Sequence, residues 1–244
     1  MSRLKVILPA AGQGTRLNLP YPKEIMRLDA NTALIDHSMR LFSNQDRNAV
    51  EFVVVINEHK TDLVKYLARY KDRYNISFVY QNPNEQEYTG AIKSAAHLFG
   101  EHNIVLLPDT ILTLEPGVDL YSLVMQNLTA TGFVFLYKPC GDENMLRTKG
   151  ALTVDSDKKV QAYVDKPTVD VEQYNAYWCA FAFRRRAFNS CIDFMEKSTL
   201  RQTVDVDAIK STPIYGSLAI PVLDYVDLGT WPEIRRVIND QDNN

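Results

Sequence analysis

Four apolar runs alternate with helical patterns over the first 110 residues, and this alternation constrains the fold more than any other feature. The three segments that separate these runs have apolar residues at helical spacing, and they are 32–42, 61–74 and 89–99. The first run does not alternate apolar with polar residues, which is typical of a strand buried on both faces of a parallel sheet. The pattern predicts βαβ units, and hence an α/β fold with a mostly parallel, mixed central sheet flanked by helices. The runs are KVILPA (5–10), EFVVVIN (51–57), ISFVYQ (76–81) and NIVLLPD (103–109).

The pattern changes after about residue 130, where strands follow one another with short connections. No Gly/Ser-rich linker separates the two parts of the sequence. We therefore expect one domain, 1–244, whose halves, about 1–130 and about 131–244, share one central sheet. The elements predicted in the second half are strands at 132–138, 150–155, 159–165, 176–183 and 214–220, and helices at 186–197, near 204–210 and at 231–239.

Composition excludes several classes of function. The chain has 27 Lys and Arg against 30 Asp and Glu, and a net charge of −3 argues against a general nucleic-acid or anionic-membrane surface. The apolar stretch near the N-terminus is too short for a signal peptide or a membrane span. Cys140, Cys179 and Cys191 lack metal-binding spacing and are expected to be reduced thiols. We expect a cytoplasmic protein that binds neither nucleic acid nor a membrane.

A glycine-rich segment follows the first predicted strand. In LPAAGQGTRL (8–17) the strand leads into Gly12 and Gly14, and then into Thr15 and Arg16. Two glycines let the main chain approach an anion closely, and the hydroxyl and guanidinium groups add contacts to it. The segment lacks the third glycine of a dinucleotide-binding turn and the GK[ST] ending of a P-loop. Taken alone, it fits a tight turn or a phosphate-binding loop.

Three other polar residues favour the phosphate-binding interpretation. Pro22 holds the backbone extended, so Lys23 can reach back across the glycine-rich segment. Gln81 and Asp109 end the third and fourth predicted strands. Ligands of open α/β sheets bind at the carboxyl ends of the strands. These residues therefore define one candidate site.

Five segments, in order, resemble the sugar-nucleotide pyrophosphorylases, which are sugar-1-phosphate nucleotidyltransferases such as the glucose-1-phosphate thymidylyl- and uridylyltransferases. Together they span residues 8–231. The last differs from the family's W-x-D-x-G-T element by Tyr225 in place of the usual Trp. The resemblance implies a Rossmann-like nucleotidyltransferase fold whose first half binds the nucleotide and whose second half binds the sugar phosphate. The segments are LPAAGQGTRL…PKEIMRL, YQNPNEQEYTGAIKSA, VLLPDTIL, GALTVDSDKKVQAYVDKP and YVDLGTW.

The resemblance also implies a role for each matching residue. Three basic residues would act directly on the phosphates, namely Arg16, Lys23 and Lys166. The nucleotide would be bound by Ala11, Gly12, Gly14, Thr15, Gln81 and Gly90. The sugar phosphate would be bound by Gly150, Asp165 and Lys166, and Mg²⁺ by Asp109 and Asp227.

The implied reaction joins a nucleoside triphosphate, dTTP or UTP, to a sugar 1-phosphate and releases pyrophosphate. Two polyanions must meet in line, so neutralisation by Mg²⁺ and fixed cations is the main requirement. A sugar phosphate is already an anion at pH 7, so the reaction needs no protein nucleophile or general base. Members of the family often form dimers or tetramers, and a homo-oligomer is an expectation here too.

Two alternatives remain open. The segment PKEIMRLDANTALIDHSM (22–39) also resembles the opening of the cytidylyltransferases of isoprenoid-precursor type, which should lack the DKP and DxGT elements present here. A catalytically silent nucleotide-sugar sensor would not need the metal pair. The base also stays open, because Glu87 stands where many members have the glycine that meets the base. The aromatic residues of 174–183 are predicted to be core, and one of their rings could line the sugar site.

Overall fold

The computed structural model describes residues 3–202 and 206–242. The helices are α1 (Leu34–Arg40), α2 (Thr61–Leu67), α3 (Glu87–Ser94), α4 (Leu120–Thr131), α5 (Glu143–Leu146), α6 (Phe188–Thr199) and α7 (Trp231–Asp242). The strands are β1 (Leu4–Pro9), β2 (Val50–Ile56), β3 (Asn75–Tyr80), β4 (His102–Leu106), β5 (Thr110–Thr113), β6 (Phe133–Pro139), β7 (Gly150–Val154), β8 (Val160–Asp165), β9 (Ala176–Arg184), β10 (Leu218–Pro221) and β11 (Asp224–Asp227).

A nine-stranded mixed sheet forms the centre of the structure. Its main path runs β10-β6-β9-β4-β1-β2-β3, and β7 and β8 join it through β9. The pairs β1–β2, β1–β4, β2–β3 and β6–β10 are parallel, whereas β9 is antiparallel to both β4 and β6. Strands from both halves of the chain lie in this one sheet. The predicted α/β fold with a mostly parallel, mixed sheet is confirmed.

Two apolar layers cover the sheet, and they explain the unbroken apolar runs. Every residue of β2 is buried. Its successive residues belong to different clusters, since Val54 belongs to the cluster that contains residues of α1, α2 and α4 and Val53 to the cluster that contains residues of α3 and α6. A strand with a helical layer on each face has no solvent side, so its sequence shows no alternation.

A two-stranded ribbon beside the main sheet was not predicted. Strand β5 pairs antiparallel with β11, and Thr110 lies opposite Asp227. The prediction that Asp109 ends the fourth strand is wrong, because β4 stops at Leu106 and Asp109 lies in the turn before β5. The helix predicted near 204–210 begins outside the described residues, and its described part is a 3₁₀ helix, Val206–Ser211.

The cysteines do not form disulfides within the described parts of the chain. Cys140, Cys179 and Cys191 are free thiols, the last two of them buried. None of the helices within 3–202 and 206–242 is sufficiently long and apolar to cross a membrane.

Candidate active site

The segment 10–17, here called the glycine loop, leaves the end of β1 as an open turn. The backbone N–H groups of Leu17 and Asn18 both donate to the carbonyl oxygen of Gly14. Gly14 has a φ of +67°, a conformation that favours glycine. A Cβ atom on Gly12 would have no atom within 4 Å, so its backbone faces open space. The loop thus offers an accessible main chain, as binding of phosphate requires.

The glycine loop is anchored to the neighbouring strand β2. The backbone N–H of Ala10 donates to the carbonyl oxygen of Val55 at 2.8 Å, and the side-chain amide of Asn57 donates to the carbonyl oxygen of Ala11 at 2.6 Å. Asn57 itself follows the last residue of β2. The loop is therefore fixed at the carboxyl edge of the sheet, where ligands of open α/β sheets bind.

Lys23 extends beneath the glycine loop and forms an ion pair with Asp109. Its methylene groups lie 3.7 Å from the position of a Cβ on Gly14, and its ammonium donates to the Oδ2 atom of Asp109. Burial lowers the pKa of Lys23, but the charge and hydrogen bond of Asp109 outweigh this, and the pKa lies above its ordinary value. Lys23 is therefore a fixed positive charge at neutral pH.

A buried ion pair supports the segment that presents Lys23. The ammonium of Lys60 donates to both carboxylate oxygens of Glu24, at 3.1 and 2.8 Å. Glu24 is fully buried and Lys60 is 3% exposed. Glu24 belongs to the 3₁₀ turn Lys23–Ile25, and Lys60 precedes α2. The pair joins the Lys23 segment to the first turn of α2, and sequence analysis did not predict it.

Asp109 and Asp227 are brought side by side by the ribbon of β5 and β11. Asp227 is the last residue of β11 and lies opposite Thr110. The backbone N–H of the next residue, Leu228, donates to the carbonyl oxygen of Asp109 at 3.0 Å. The two carboxylates therefore lie at one end of a hydrogen-bonded ribbon, which brings together two residues that sequence analysis assigned to Mg²⁺.

Asp227 also has a lysine partner, which sequence analysis missed. The ammonium of Lys149 donates to its Oδ2 atom at 2.5 Å, and the backbone N–H of Gly229 donates to its Oδ1 atom at 2.9 Å. Burial raises the pKa of Asp227, but these bonds, together with the charge of Arg16, hold it below the ordinary value. The guanidinium of Arg16 lies 3.2 Å from the position of a Cβ on Gly229. Arg16 and Lys149 thus surround one carboxylate with positive charge.

The number of protein ligands available for Mg²⁺ limits how the ion could bind at Asp109 and Asp227. Within the described ranges, no group of three or more His, Cys, Asp and Glu side chains is placed to hold a metal ion. Mg²⁺ commonly takes one or two carboxylates from the protein, while substrate phosphates and waters fill its other positions. Asp109 and Asp227 could therefore supply the protein's share of a Mg²⁺ site only where phosphate supplies further ligands.

Two adjacent strands, β7 and β8, bring together the residues predicted to bind the sugar phosphate. Gly150 of β7 lies opposite Asp165 of β8, and the backbone N–H of Lys166 donates to the carbonyl oxygen of Lys149 at 2.9 Å. The ammonium of Lys166 lies 3.9 Å from the Oδ2 atom of Asp165. Burial raises the pKa of Asp165 above its ordinary value.

Gly150 leaves room for the indole of Trp178. A Cβ at Gly150 would lie 1.9 Å from the Nε1 atom of Trp178, a distance that no packed pair of atoms allows. That nitrogen is buried and has no hydrogen-bond partner. The ring of Tyr88 packs against the indole with centroids 5.5 Å apart, and the hydroxyls of Tyr88 and Tyr163 lie 3.0 Å apart. Trp178 is the one ring of the 174–183 run, all of it described, that lines the site.

The segment predicted to meet the base is held by its own hydrogen bonds. The amide of Gln81 donates to the carbonyl oxygen of Glu85 at 2.8 Å and to that of Glu87 at 3.4 Å. Glu87 has a φ of +57°, a conformation that favours glycine. Gly90 packs inward, where a Cβ would lie 2.6 Å from the backbone of Glu85. Gln81 thus orders the 82–87 segment, and Gly90 lets α3 approach it.

One cleft of about 1190 Å³ lies between these elements. Its described lining includes almost all of the residues singled out from the sequence, with the exception of Gly90. It also includes residues that sequence analysis missed, among them Asn57, Tyr88 and Lys149. The residues singled out from the sequence that line the cleft are Ala11, Gly12, Gly14, Thr15, Arg16, Lys23, Gln81, Asp109, Gly150, Asp165, Lys166 and Asp227.

A family model described as Nucleotidyl transferase matches residues 5–244, nearly the whole sequence. The chain belongs to the nucleotidyl transferase family. The sequence resemblance to sugar-1-phosphate nucleotidyltransferases is thereby confirmed at the level of the family.

Solved structures share the fold of this nucleotidyl transferase. A UDP-glucose pyrophosphorylase complexed with UDP-glucose superimposes with a TM-score of 0.76 at 16% identity, over 100% of this chain and 99% of the other. A UDP-glucose pyrophosphorylase from Acinetobacter baumannii gives 0.73 at 18% identity, over 98% and 92%. A putative glucose-1-phosphate thymidylyltransferase from Bacillus anthracis gives 0.73 at 15% identity, over 99% and 96%. At these identities the likeness establishes the fold.

A curated relative matches a shorter part of the sequence. The bifunctional enzyme IspD/IspF from Desulfotalea psychrophila is 37% identical over 82 residues. The match covers 34% of this nucleotidyl transferase and 21% of the relative, so it spans about a fifth of the relative's length.

Proposed function

We propose that this nucleotidyl transferase condenses a nucleoside triphosphate, UTP or dTTP, with a sugar 1-phosphate to give a nucleotide sugar and pyrophosphate, with Mg²⁺ as cofactor. The observation that supports this most is the shared cleft, in which the glycine loop and the aspartate pair lie beside Asp165 and Lys166. We place the activity in the cytoplasm, where nucleoside triphosphates and reduced thiols are found. A homo-oligomer is also proposed, as in many relatives.

The residues of the first half would bind the triphosphate. Backbone N–H groups of the glycine loop would approach the phosphates, since Gly12 faces open space. Arg16 would contribute a bidentate contact to phosphate oxygens, and Lys23 a second positive charge. Because Lys23 is held in place by Asp109, little side-chain entropy remains to be lost on binding.

The residues of the second half would orient the acceptor for in-line attack. Lys166 would contact the phosphate of the sugar, and the carboxylate of Asp165 would accept a hydrogen bond from a sugar hydroxyl. Mg²⁺ held by Asp109 and Asp227 would neutralise charge on the phosphates between the two substrates. Rate acceleration would come from positioning and charge neutralisation, because the acceptor phosphate is itself the nucleophile.

The test is pyrophosphate release with Mg²⁺, glucose 1-phosphate and each of UTP, dTTP, CTP, GTP and ATP in turn. We expect release with UTP, dTTP or both. Triphosphate binding without release for any acceptor would favour the catalytically silent sensor. Absence of both binding and release would contradict the proposal.

A cytidylyltransferase acting on another phosphorylated alcohol is the second candidate. It is favoured by the resemblance of the 22–39 segment and by the 82-residue match to IspD/IspF. The same assay separates the two, with CTP and a polyol phosphate such as glycerol 3-phosphate replacing the uridine or thymidine substrate and the sugar phosphate. Release that requires CTP and a polyol phosphate would favour the second candidate.

A further inference from the structure

Lys149 occupies a position that the proposed reaction does not yet explain. Its side chain is 14% exposed, and its ammonium lies at the mouth of the aspartate pair, 2.5 Å from the Oδ2 atom of Asp227. Its backbone carbonyl accepts the N–H of Lys166, so the two lysines flank the same end of the β7–β8 pair, and both line the cleft.

Each of the two aspartates forms an ion pair with a lysine. The ammonium of Lys23 binds the Oδ2 atom of Asp109, and that of Lys149 binds the Oδ2 atom of Asp227. A divalent cation bound by both carboxylates would compete with the lysines for these two groups and would lie close to both ammonium groups. Like charges at such distances repel strongly in a partly buried site. The lysines therefore oppose binding of a cation that arrives alone.

A phosphate removes this conflict. An ammonium on a largely buried side chain is costly without a counter-ion, and it must regain one when it leaves its carboxylate. A phosphate group supplies two negative charges and several acceptor oxygens. It can bind the released ammonium and a divalent cation together, since Mg²⁺ in proteins commonly shares phosphate oxygens with carboxylates.

We propose that Lys149 is a phosphate-binding residue that exchanges Asp227 for the phosphate of the acceptor substrate when a divalent cation takes the carboxylate. The proposal rests on the proposed function. Its consequence is reciprocal coupling, in which phosphate tightens binding of the cation and the cation tightens binding of phosphate. Lys149 thus discourages the aspartate pair from taking up a divalent cation before a phosphate has arrived.

The experiment is a titration with Mn²⁺, a spectroscopic substitute for Mg²⁺, followed by electron paramagnetic resonance. The full chain is titrated alone, with glucose 1-phosphate and with inorganic phosphate. The variants are Lys149→Met, which removes the charge but keeps a long side chain, and Lys149→Arg, which keeps the charge. Lys138→Met is the matched control, because Lys138 pairs with Asp224 at the other end of β11 at 3.1 Å.

In the unaltered protein, either phosphate compound should tighten Mn²⁺ binding about fivefold or more, the lower end of ordinary coupling between sites. Lys149→Met should bind Mn²⁺ alone more tightly than the unaltered protein and should lose most of the effect of phosphate. Lys149→Arg and Lys138→Met should retain that effect. Thermal unfolding of each variant shows that its fold is kept.

Two results would overturn the proposal. One is independent binding of Mn²⁺ and phosphate in the unaltered protein, which needs no variant to fold. The other is a Lys149→Met titration that matches Lys138→Met with and without phosphate. Because the titration needs no turnover, failure of the proposed function appears in the pyrophosphate assay, whereas failure of this inference appears in Mn²⁺ binding.

Discussion

The backbone N–H of Leu228 donates a hydrogen bond to the carbonyl oxygen of Asp109 at 3.0 Å. This bond joins the turn after β4 to the end of β11, and it fixes Asp109 and Asp227 side by side although they are far apart in sequence. Asp109→Asn and Asp227→Asn should each lower kcat about a hundredfold or more, because each replaces a proposed charged ligand of Mg²⁺ by a neutral one. Steady-state pyrophosphate release measures the effect, and circular dichroism should show an unchanged fold.

Asp224→Asn is the matched control for these variants. Asp224 begins the same strand, its side chain is 57% exposed, and it pairs with Lys138 outside the cleft. We expect its turnover to be close to that of the unaltered protein. Wild-type rates in both Asp109→Asn and Asp227→Asn would show that the metal assignment is wrong.

Gly150→Ala should destabilise the protein by about 1–3 kcal/mol, as overpacking of a well-packed site does. Its Cβ would lie 1.9 Å from Nε1 of Trp178, so the indole or the β7 backbone must move. Urea unfolding measures the change in free energy. Gly141→Ala is the control, since its Cβ would meet no atom within 4 Å. Equal midpoints for the two variants would contradict the packing described here.

Lys60→Met should destabilise the protein by about 3–5 kcal/mol, the usual cost of removing one partner from a buried ion pair. The variant leaves Glu24 fully buried without its counter-charge. The double variant Lys60→Met with Glu24→Met should recover much of that loss, because no unpaired charge remains. Urea unfolding of the two variants tests this, and a double variant no more stable than Lys60→Met would count against the pair.

Asp165→Asn should stabilise the protein at neutral pH. Burial raises the pKa of Asp165 above its ordinary value, so folding favours the protonated carboxyl. The folded state is then penalised above that raised pKa, and the penalty disappears as the pH falls below the ordinary Asp value of 3.8. The gain of Asp165→Asn in Tm should therefore shrink as the pH falls towards 3.8 and below.

Asp224→Asn should lower the Tm at neutral pH, the opposite of the change expected for Asp165→Asn. Burial of Asp224 alone would raise its pKa, but the hydrogen bond and charge of Lys138 outweigh burial and lower it. The ionised carboxylate therefore stabilises the folded protein above the ordinary Asp value, and this stabilisation is lost as the pH falls through the lowered pKa. A gain in Tm for Asp165→Asn that did not vary with pH would contradict the burial of its charge.

The central strands could be predicted because a strand buried on both faces has an unbroken run of apolar residues. Helix α4 also carries local signals, which sequence analysis did not use. Asp119 caps its first turn by accepting the N–H of Ser122, and Gly132 ends it with a φ of +77°. Strands β5 and β11 are four residues each and pair across a long separation, so neither has enough local pattern to be recognised.

The site residues likewise fall into those that could be predicted from local motifs and those that could not. The glycine loop, Lys23 and Asp165 belong to local motifs, and the cleft contains them as their spacing indicates. Lys149 has no such motif, because its importance lies in an ion pair with a residue on a distant strand. Trp178 lies in an aromatic run typical of core, and only the glycine opposite it brings the indole to the cleft. Contacts between distant strands place both Lys149 and Trp178 at the site, and such contacts cannot be recognised from a local stretch of sequence.

Strand β9 lies antiparallel between β4 and β6, and its position sets the order in which the chain can fold. During synthesis, the edge of β4 stays unpaired until residues 176–184 have emerged, on the order of ten seconds later at ordinary translation rates. Unpaired strand edges are templates for aggregation. The first half of the chain is thus an incomplete sheet in the cell until the second half supplies β9, although it holds the whole glycine loop.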